Sequence, residues 1–252
     1  MSKPKNKEEI VAHNTQAVSA LSTYLDGLAQ SGNPKLQGKA DKLSYWICDW
    51  MKFLDFETEF SPQSLRRYKR GEIIKVHLGF NVGSEEGGLH YAVVIDKDNA
   101  KSSPVVTVVP LTSVKPTTDI TKLKSGSIFL GNELFTNLNA KVSATNKHIG
   151  EELSLLKEFV KKMTDDTPIN EQNEIQTRID NCVSELAFLN RMRAEVLKMK
   201  NGSIALVNQI TTISKIRIYD PKTDHDILSN IKLSNEKLDM IDTEIRKKFT
   251  NF

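Results

Sequence analysis

The fold of this chain is decided by the stretch Val105-Val106-Thr107-Val108-Val109-Pro110-Leu111, a mostly β-branched run of strand length. Two similar runs precede it, Glu72-Ile73-Ile74-Lys75-Val76-His77-Leu78 and Tyr91-Ala92-Val93-Val94-Ile95-Asp96, and turn-rich polar segments separate the three. Such residues favour strands because their side chains pack well on a pleated surface. Three strands without an intervening helix predict an antiparallel sheet or a small barrel.

Further strands and a helix are predicted beyond this core. A short strand is expected over residues 127–130 and a longer one over residues 203–210. An amphipathic helix then follows, with Ser234 and Asn235 as possible caps. The overall class is therefore α+β.

Helical periodicity occupies most of the remaining chain. Apolar residues recur every three or four positions over residues 7–30 and 34–55, which predicts an antiparallel helical hairpin that turns at Ser31-Gly32-Asn33-Pro34. Near-heptad spacing over residues 138–163 and 175–197 predicts a second hairpin of coiled-coil type, broken at Asp165-Asp166-Thr167-Pro168.

Composition excludes several classes of protein. Apolar residues make up 38% and charged residues 27%, which fits a globular chain rather than a disordered one. No apolar run approaches the ~18 residues of a membrane helix, and no hydrophobic segment follows the polar start, so a cytoplasmic location without membrane contact is expected. Two isolated cysteines, Cys48 and Cys182, indicate neither a zinc site nor a disulfide framework, and no metal or cofactor is expected.

Net charge gives little support for a broad polyanion-binding surface. The chain carries 35 basic and 32 acidic residues, a balance of +3. The one basic concentration, Arg66-Arg67-Tyr68-Lys69-Arg70, could touch phosphates, but short charge runs usually lie on a solvated surface. A solvated linker is the favoured interpretation.

Five segments follow one another in an informative order. They are Arg70-Gly71-Glu72-Ile73-Ile74, Gly83-Ser84-Glu85-Glu86-Gly87-Gly88, Ala92-Val93-Val94-Ile95, Val108-Val109-Pro110-Leu111-Thr112-Ser113, and Gly202-Ser203-Ile204-Ala205-Leu206-Val207-Asn208-Gln209-Ile210-Thr211-Thr212-Ile213. Their order and spacing resemble the MazF/PemK toxin family. The resemblance predicts a barrel domain formed by residues 69–131 and 201–252, an N-terminal helical extension over residues 1–68, and an inserted helical hairpin over residues 132–200.

The resemblance implies a fold and an activity. The fold is a small SH3-like antiparallel barrel that forms a homodimer. The activity is the cleavage of single-stranded RNA without metal, neutralised by an antitoxin protein. In that reaction the ribose 2′-hydroxyl attacks the adjacent phosphate, which requires a base, an acid and donors for the charged phosphorane.

The resemblance also points to site residues. Family members carry an arginine directly after the glycine loop and a threonine at the end of the third strand. Here the threonine is Thr112, followed by Ser113, and the arginine position holds His90. The predicted catalytic residues are His90, Thr112 and Ser113, and the predicted substrate-binding residues are Glu85, Gly87, Gly88 and Gln209.

The histidine leaves two interpretations open. Arginine is permanently charged and binds phosphate through a planar fork, whereas histidine titrates near neutrality. His90 could act as acid or base in an active endoribonuclease, or the site could bind RNA or a protein without efficient cleavage. Glu85 could equally hold the shape of its loop through backbone amides. The two hairpins could cover the antitoxin-binding face of the barrel or extend a dimer interface.

Overall fold

A computed structural model describes residues 6–164, 167–199 and 202–251. Parts of three sequence predictions lie outside these ranges: residues 1–5 of the polar start, Asp165 and Asp166 of the helix break, and the boundary at residues 200–201. Within the described ranges the chain forms five α-helices and seven β-strands. The helices are α1 (Lys7–Ala29), α2 (Pro34–Phe56), α3 (Glu133–Lys162), α4 (Ile169–Lys198) and α5 (Asn235–Phe249). The strands are β1 (Ile73–His77), β2 (Leu89–Val94), β3 (Val105–Ser113), β4 (Ser127–Gly131), β5 (Ser203–Leu206), β6 (Thr211–Ser214) and β7 (Ile218–Asp220).

All seven strands join one antiparallel sheet, which confirms the α+β class. The order is β4-β5-β3-β2-β1-β7, and β6 pairs with β3 as well. Strand β3 spans nine residues and pairs with three other strands. The β-branched run of residues 105–111 is therefore the centre of the sheet. Among the described residues, the end strands β4 and β7 are not paired with each other, and closure into a barrel stays a prediction.

The single strand predicted over residues 203–210 is wrong. Strand β5 ends at Leu206, a 3₁₀ turn covers Val207–Gln209, and β6 begins at Thr211. The two strands pair with different parts of β3: β5 lies opposite residues 111–113 and β6 opposite residues 105–108. Pro110 of β3 has no N–H to give to a neighbouring strand, and the turn spans this gap in the ladder.

The main core lies between the sheet, α5 and the first turns of α3. Apolar side chains of β1, β2 and β3 supply its centre, and Leu138 of α3 and Ile241 of α5 cover it with no exposed surface. The members of this cluster are Ile73, Val93, Val109, Leu111, Ile128, Leu130, Leu134, Leu138, Ala205, Val207, Leu228, Ile231, Leu233 and Ile241.

Helices α3 and α4 form the predicted coiled-coil-type hairpin. Buried residues recur at heptad spacing on both arms, Ile149 and Leu156 on one and Cys182 and Leu189 on the other. Cys182 is thus the small buried hydrophobe expected of its position. The arms run antiparallel, as shown by Arg178, which donates to Glu152 at 2.8 Å, and by the contact of 3.1 Å between His148 and Glu185.

The chain divides into two compact units. The first combines Met1–Phe60 with Gly79–Gly88, and the second combines Ser61–Leu78 with Leu89–Phe252. In the first unit, α2 begins with Asn33 and a proline, as the sequence signals predict, and α1 begins with a capping box at Asn6. The division into three domains drawn from the sequence stays a prediction.

The basic run 66–70 is not the expected solvated linker. Tyr68 is completely buried and donates to Pro221 O at 2.7 Å. Arg66 is almost as buried and binds the carboxylates of Glu72 and Asp224 at 3.1 and 2.9 Å. Carboxylates also hold the guanidinium groups of Arg67 and Arg70, so this run is part of the structure of the second unit.

The sequence also predicts that no helix of the chain spans a membrane. None of the helices in the described ranges combines the length and the apolar character that crossing a bilayer requires.

Candidate functional site

A pocket of about 310 Å³ lies at the end of β3 in the second unit. It brings together all three predicted catalytic residues, from the start of β2 and the end of β3. Its lining residues are Lys75, Leu89, His90, Tyr91, Leu111, Thr112, Ser113, Lys115, Glu195 and Lys198. The antiparallel register of the strands thus gathers residues that are more than twenty positions apart in the sequence.

His90 is held in one orientation by the backbone of β3. The residue lies on β2 opposite Val76 of β1, and its ring Nδ1 is 3.1 Å from Leu111 O. A carbonyl oxygen only accepts, so Nδ1 carries the proton in this contact. A neutral ring then has its lone pair on Nε2, the atom through which the histidine can take up a proton.

Thr112 and Ser113 supply hydroxyl groups at the same end of β3. Their backbones pair with Ile204 and Ser203 of β5, so both residues belong to a regular ladder. Thr112 is half-buried and Ser113 is exposed. Successive side chains of a strand point to opposite faces, so the two hydroxyls leave β3 on opposite sides, and each can donate a hydrogen bond to an oxygen of a phosphate bound at the end of the strand.

Glu195 is a site residue that the sequence analysis missed. This glutamate of α4 is 7% exposed, and its carboxylate accepts from Tyr91 OH at 2.5 Å and from Lys75 Nζ. Lys198 Nζ lies 3.7 Å from the same group. The sequence did contain a signal for this residue. Glu195 follows Leu189 and Met192 at the spacing of the buried helical stripe, and a charged side chain in such a stripe needs a partner.

The surroundings of Glu195 keep it ionised. Burial alone would raise the pKa of this carboxyl, but the hydrogen bonds from Lys75 and Tyr91 and the nearby ammonium groups outweigh burial and lower it. Burial and the bond to Glu195 raise the pKa of the Tyr91 phenol, which therefore stays protonated as a donor. Lys75 lies 5.5 Å from the centre of the Tyr91 ring, so the three groups form one network in the wall of the pocket.

The predicted glycine-loop residues belong to the first unit and are described within it. Glu85 accepts from Val82 N at 3.0 Å, as expected of a residue that holds the shape of its loop. Gly88 N donates to Gly79 O at 2.6 Å and closes the base of the loop. A Cβ at Gly87 would lie 2.8 Å from Gly79 O, so this close approach of two backbone segments requires a glycine.

Gln209 lies apart from the three catalytic candidates. It ends the 3₁₀ turn between β5 and β6 and precedes Thr211, which pairs with Val108. Thr112 lies four residues further along β3, and Gln209 does not line the His90 pocket.

One comparison with known proteins matches part of the chain. Residues 69–144 match the model of a family described as PemK-like, MazF-like toxin of type II toxin-antitoxin system. This segment covers β1 to β4 and the start of α3, under a third of the 252 residues, and contains His90, Thr112 and Ser113. The resemblance inferred from the sequence is confirmed over this segment. Residues 201–252, the other part of the inferred resemblance, lie outside the match. No curated protein matches the chain.

Proposed function

We propose that this protein is the endoribonuclease toxin of a type II toxin–antitoxin system and cleaves single-stranded RNA without metal. The observation that carries the proposal is the pocket at the end of β3, because it unites an oriented imidazole with two hydroxyl donors inside the family-matched segment. These are the group types that RNA cleavage through the 2′-hydroxyl requires.

In the proposed reaction His90 moves the proton. Its Nε2 takes the proton of the ribose 2′-hydroxyl, and the 2′ oxygen forms a bond to the adjacent phosphorus. The bond from phosphorus to the 5′ oxygen breaks, and that oxygen takes a proton from water. The products end in a 2′,3′-cyclic phosphate and a 5′-hydroxyl. Thr112 and Ser113 donate to the non-bridging oxygens, where negative charge develops.

Cleavage of a long single-stranded RNA in the presence of excess chelator tests this proposal. We expect discrete fragments from the unaltered protein, and a loss of about 10²–10⁴-fold in rate for His90→Ala, because the proton acceptor is removed. Thr112→Val, which keeps the shape but removes the hydroxyl, should lose about 10²-fold. His13→Ala changes an exposed histidine of α1 and serves as the matched control.

Two results would contradict the enzymatic proposal. One is intact RNA after incubation with many different sequences. The other is cleavage that continues unchanged in the His90→Ala protein. An RNA with a single 2′-deoxynucleotide at the cut position adds a chemical control, since the attacking hydroxyl is then missing.

The network around Glu195 favours a second candidate function, an RNA- or protein-binding module with weak cleavage. Glu195 neutralises Lys75, the cation on β1 that lines the pocket, and the family's arginine is absent. The two candidate functions predict opposite effects of the His90→Arg substitution on the rate of RNA cleavage. Arginine cannot accept a proton, so an enzyme that relies on His90 loses activity, whereas a weakened site regains a phosphate donor and cleaves faster.

The proposal includes partners and a location. We place the protein in the cytoplasm, as a homodimer that single-stranded RNA and an antitoxin protein bind. The family description, which names a toxin–antitoxin system, supports the antitoxin. Glu85, Gly87, Gly88 and Gln209 stay the predicted substrate-binding residues. Light scattering of the purified chain tests the assembly, since a dimer has twice the 28.4 kDa of one chain.

A further inference from the structure

A second and larger cleft, of about 1000 Å³, opens on the same unit between α3, α4 and the segment that precedes α5. Charged and polar side chains form most of its wall. Its lining residues are Asn137, Ala140, Lys141, Ala144, Thr145, His148, Ser184, Glu185, Phe188, Arg191, Asp224, His225, Ser229, Asn230, Ile231 and Lys232. The proposed reaction does not use this cleft, although Asn137, Ala140, Lys141 and Ala144 of its wall belong to the family-matched segment.

The acidic groups of the cleft are already paired. Glu185 contacts His148 Nδ1 at 3.1 Å, and Asp224 accepts from Arg66 Nε at 2.9 Å. Within the described part of the chain, neither Arg191 nor Lys232 makes an ion pair within 4.0 Å, although the Arg191 charge interacts with the Asp226 carboxylate. A concave surface with an excess of one charge focuses its field on ligands of the opposite charge. The cleft is thus suited to an anion.

Phe188 holds the cationic wall in place. The Arg191 guanidinium carbon lies 5.5 Å from the centre of the Phe188 ring, and Lys141 Nζ lies 5.6 Å from it. Lys141 donates to the carbonyl oxygens of Asp226, Ile227 and Ser229, and the carboxylates of Asp220 and Asp226 also interact with its charge. A guanidinium fixed on an aromatic face loses little entropy on binding and presents its donors as a planar fork.

Helix α4 connects this cleft to the His90 pocket. Phe188, Arg191, Glu195 and Lys198 follow one another at intervals of three and four, so they share one helix face. The first two line the cleft and the last two line the pocket. Arg191 and Lys198 are about 10 Å apart along the helix axis. A chain of phosphates bound at the pocket can therefore continue along α4 into the cleft.

We propose that the cleft binds the RNA strand that flanks the cleaved phosphate, with Arg191 and Lys232 as phosphate ligands. This inference rests on the proposed function. It assigns to the inserted hairpin a second substrate-binding surface for the same RNA. The exposed cations Arg191 and Lys232, and the helix face of α4 that leads from the cleft to the pocket, favour a polyanion.

Binding of RNA to the full-length His90→Ala protein tests the inference, because no cleavage disturbs the equilibrium. Fluorescence anisotropy is measured over a range of salt concentrations with a short oligonucleotide that fills only the pocket and a longer one that also reaches the cleft. The variants are Arg191→Gln with Lys232→Gln, and, as the matched control, Lys161→Gln with Lys162→Gln at the exposed end of α3. Arg191→Lys keeps the charge without the planar fork.

For the longer RNA, we expect the cleft variant to lose about tenfold or more in affinity at low salt. The slope of log K against log salt should fall by about 1.4, since each phosphate contact on a single strand contributes about 0.7. Arg191→Lys should keep the slope. The short RNA and the control variant should be unchanged.

If the slope of log K against log salt for the longer RNA is the same for the cleft variant and its parent, the inference is overturned. An acidic protein would then be the next ligand to test in the cleft. The cleavage assay keeps this failure separate from that of the proposed function. If the cleft variant in a His90 background cuts short RNA at the parental rate, the enzyme stands whatever the cleft binds. Unchanged circular dichroism of the variant confirms its fold, as both substituted side chains are exposed.

Discussion

Glu195 shows what one buried charge does in this protein. It comes from the inserted hairpin, and its partners Lys75 and Tyr91 come from the sheet, 120 and 104 positions away. A buried carboxylate is tolerated only where cations and donors compensate for lost hydration. The hydrogen-bond network therefore makes the placement of α4 and the shape of the pocket around His90 depend on each other.

For Glu195→Gln, we expect a loss of about 2 kcal/mol in the free energy of unfolding at neutral pH. This lies below the ~3–5 kcal/mol of a fully buried pair because Lys75 keeps some solvent contact. Urea unfolding measures the change. Glu158→Gln, at an exposed position of α3, is the control and should change stability by less than about 0.5 kcal/mol.

The same variant has a distinctive pH dependence. The pKa of Glu195 is lower in the folded protein than its ordinary value of 4.5, so the unfolded chain takes up the proton first as the pH falls. Its contribution is present in full above that ordinary value and is lost as the pH falls through the folded pKa. The stability gap between the unaltered protein and Glu195→Gln should therefore shrink below about pH 4.5, and a gap that does not change with pH would contradict this account.

At the scale of elements, Gly202 lies where the inserted hairpin joins the sheet. Gly202 stands immediately before β5 with φ of 85°, and its carbonyl accepts from Val114 N at 3.1 Å. A Cβ at this position would lie 2.8 Å from Val114 Cγ2 and 3.1 Å from Phe129 Cε2. Both the backbone conformation and the available space require glycine here.

Gly202→Ala should lower the free energy of unfolding by about 2–3 kcal/mol, through a left-handed backbone and an overlap with Val114. Gly150→Ala is the matched control, because Gly150 lies in α3 with open space around it. That change should stabilise the protein by about 0.5–1 kcal/mol. Thermal and urea unfolding measure both, and a change of the same sign in the two variants would refute this account.

At the scale of the whole molecule, the two units differ in how much apolar surface they bury. The second unit contains the fourteen-residue core, whereas Ala40 is the single buried residue among the described residues of α1 and α2. Many large apolar side chains of these two helices are more than a third exposed, namely Ile10, Val11, Val18, Leu21, Tyr24, Leu36, Tyr45, Trp50, Met51, Leu54 and Phe56. Local stability follows burial, so the units should open independently.

Hydrogen exchange of the full chain measures this difference. Amides of α1 and α2 should exchange at least about 100-fold faster than those of β2 and β3, since each tenfold step corresponds to ~1.4 kcal/mol of opening free energy. Equal protection in both units would refute this expectation and would indicate that the apolar stripe of the hairpin is covered in solution, as a second copy in the proposed homodimer would do.

Sequence reasoning predicted the elements better than the site. The start of α2 follows from Asn33 and Pro34, because caps act within one turn. The break after Leu206 escaped prediction, since it depends on Pro110 in a neighbouring strand. The interpretation of the run 66–70 as a solvated linker failed because two of the carboxylates that bind it, Asp224 and Asp242, come from distant segments.

The sequence by itself determined the five helices, the first four strands, the α+β class and a family resemblance over residues 69–131, which the match to residues 69–144 confirms, because these depend on local periodicity and on motifs read in order. Only the tertiary structure decided that His90, Thr112 and Ser113 share a pocket with Glu195 and that Arg191 and Lys232 line a second cleft. The physical reason is that sheet register and helix packing join residues a hundred or more positions apart, and no local pattern encodes those contacts.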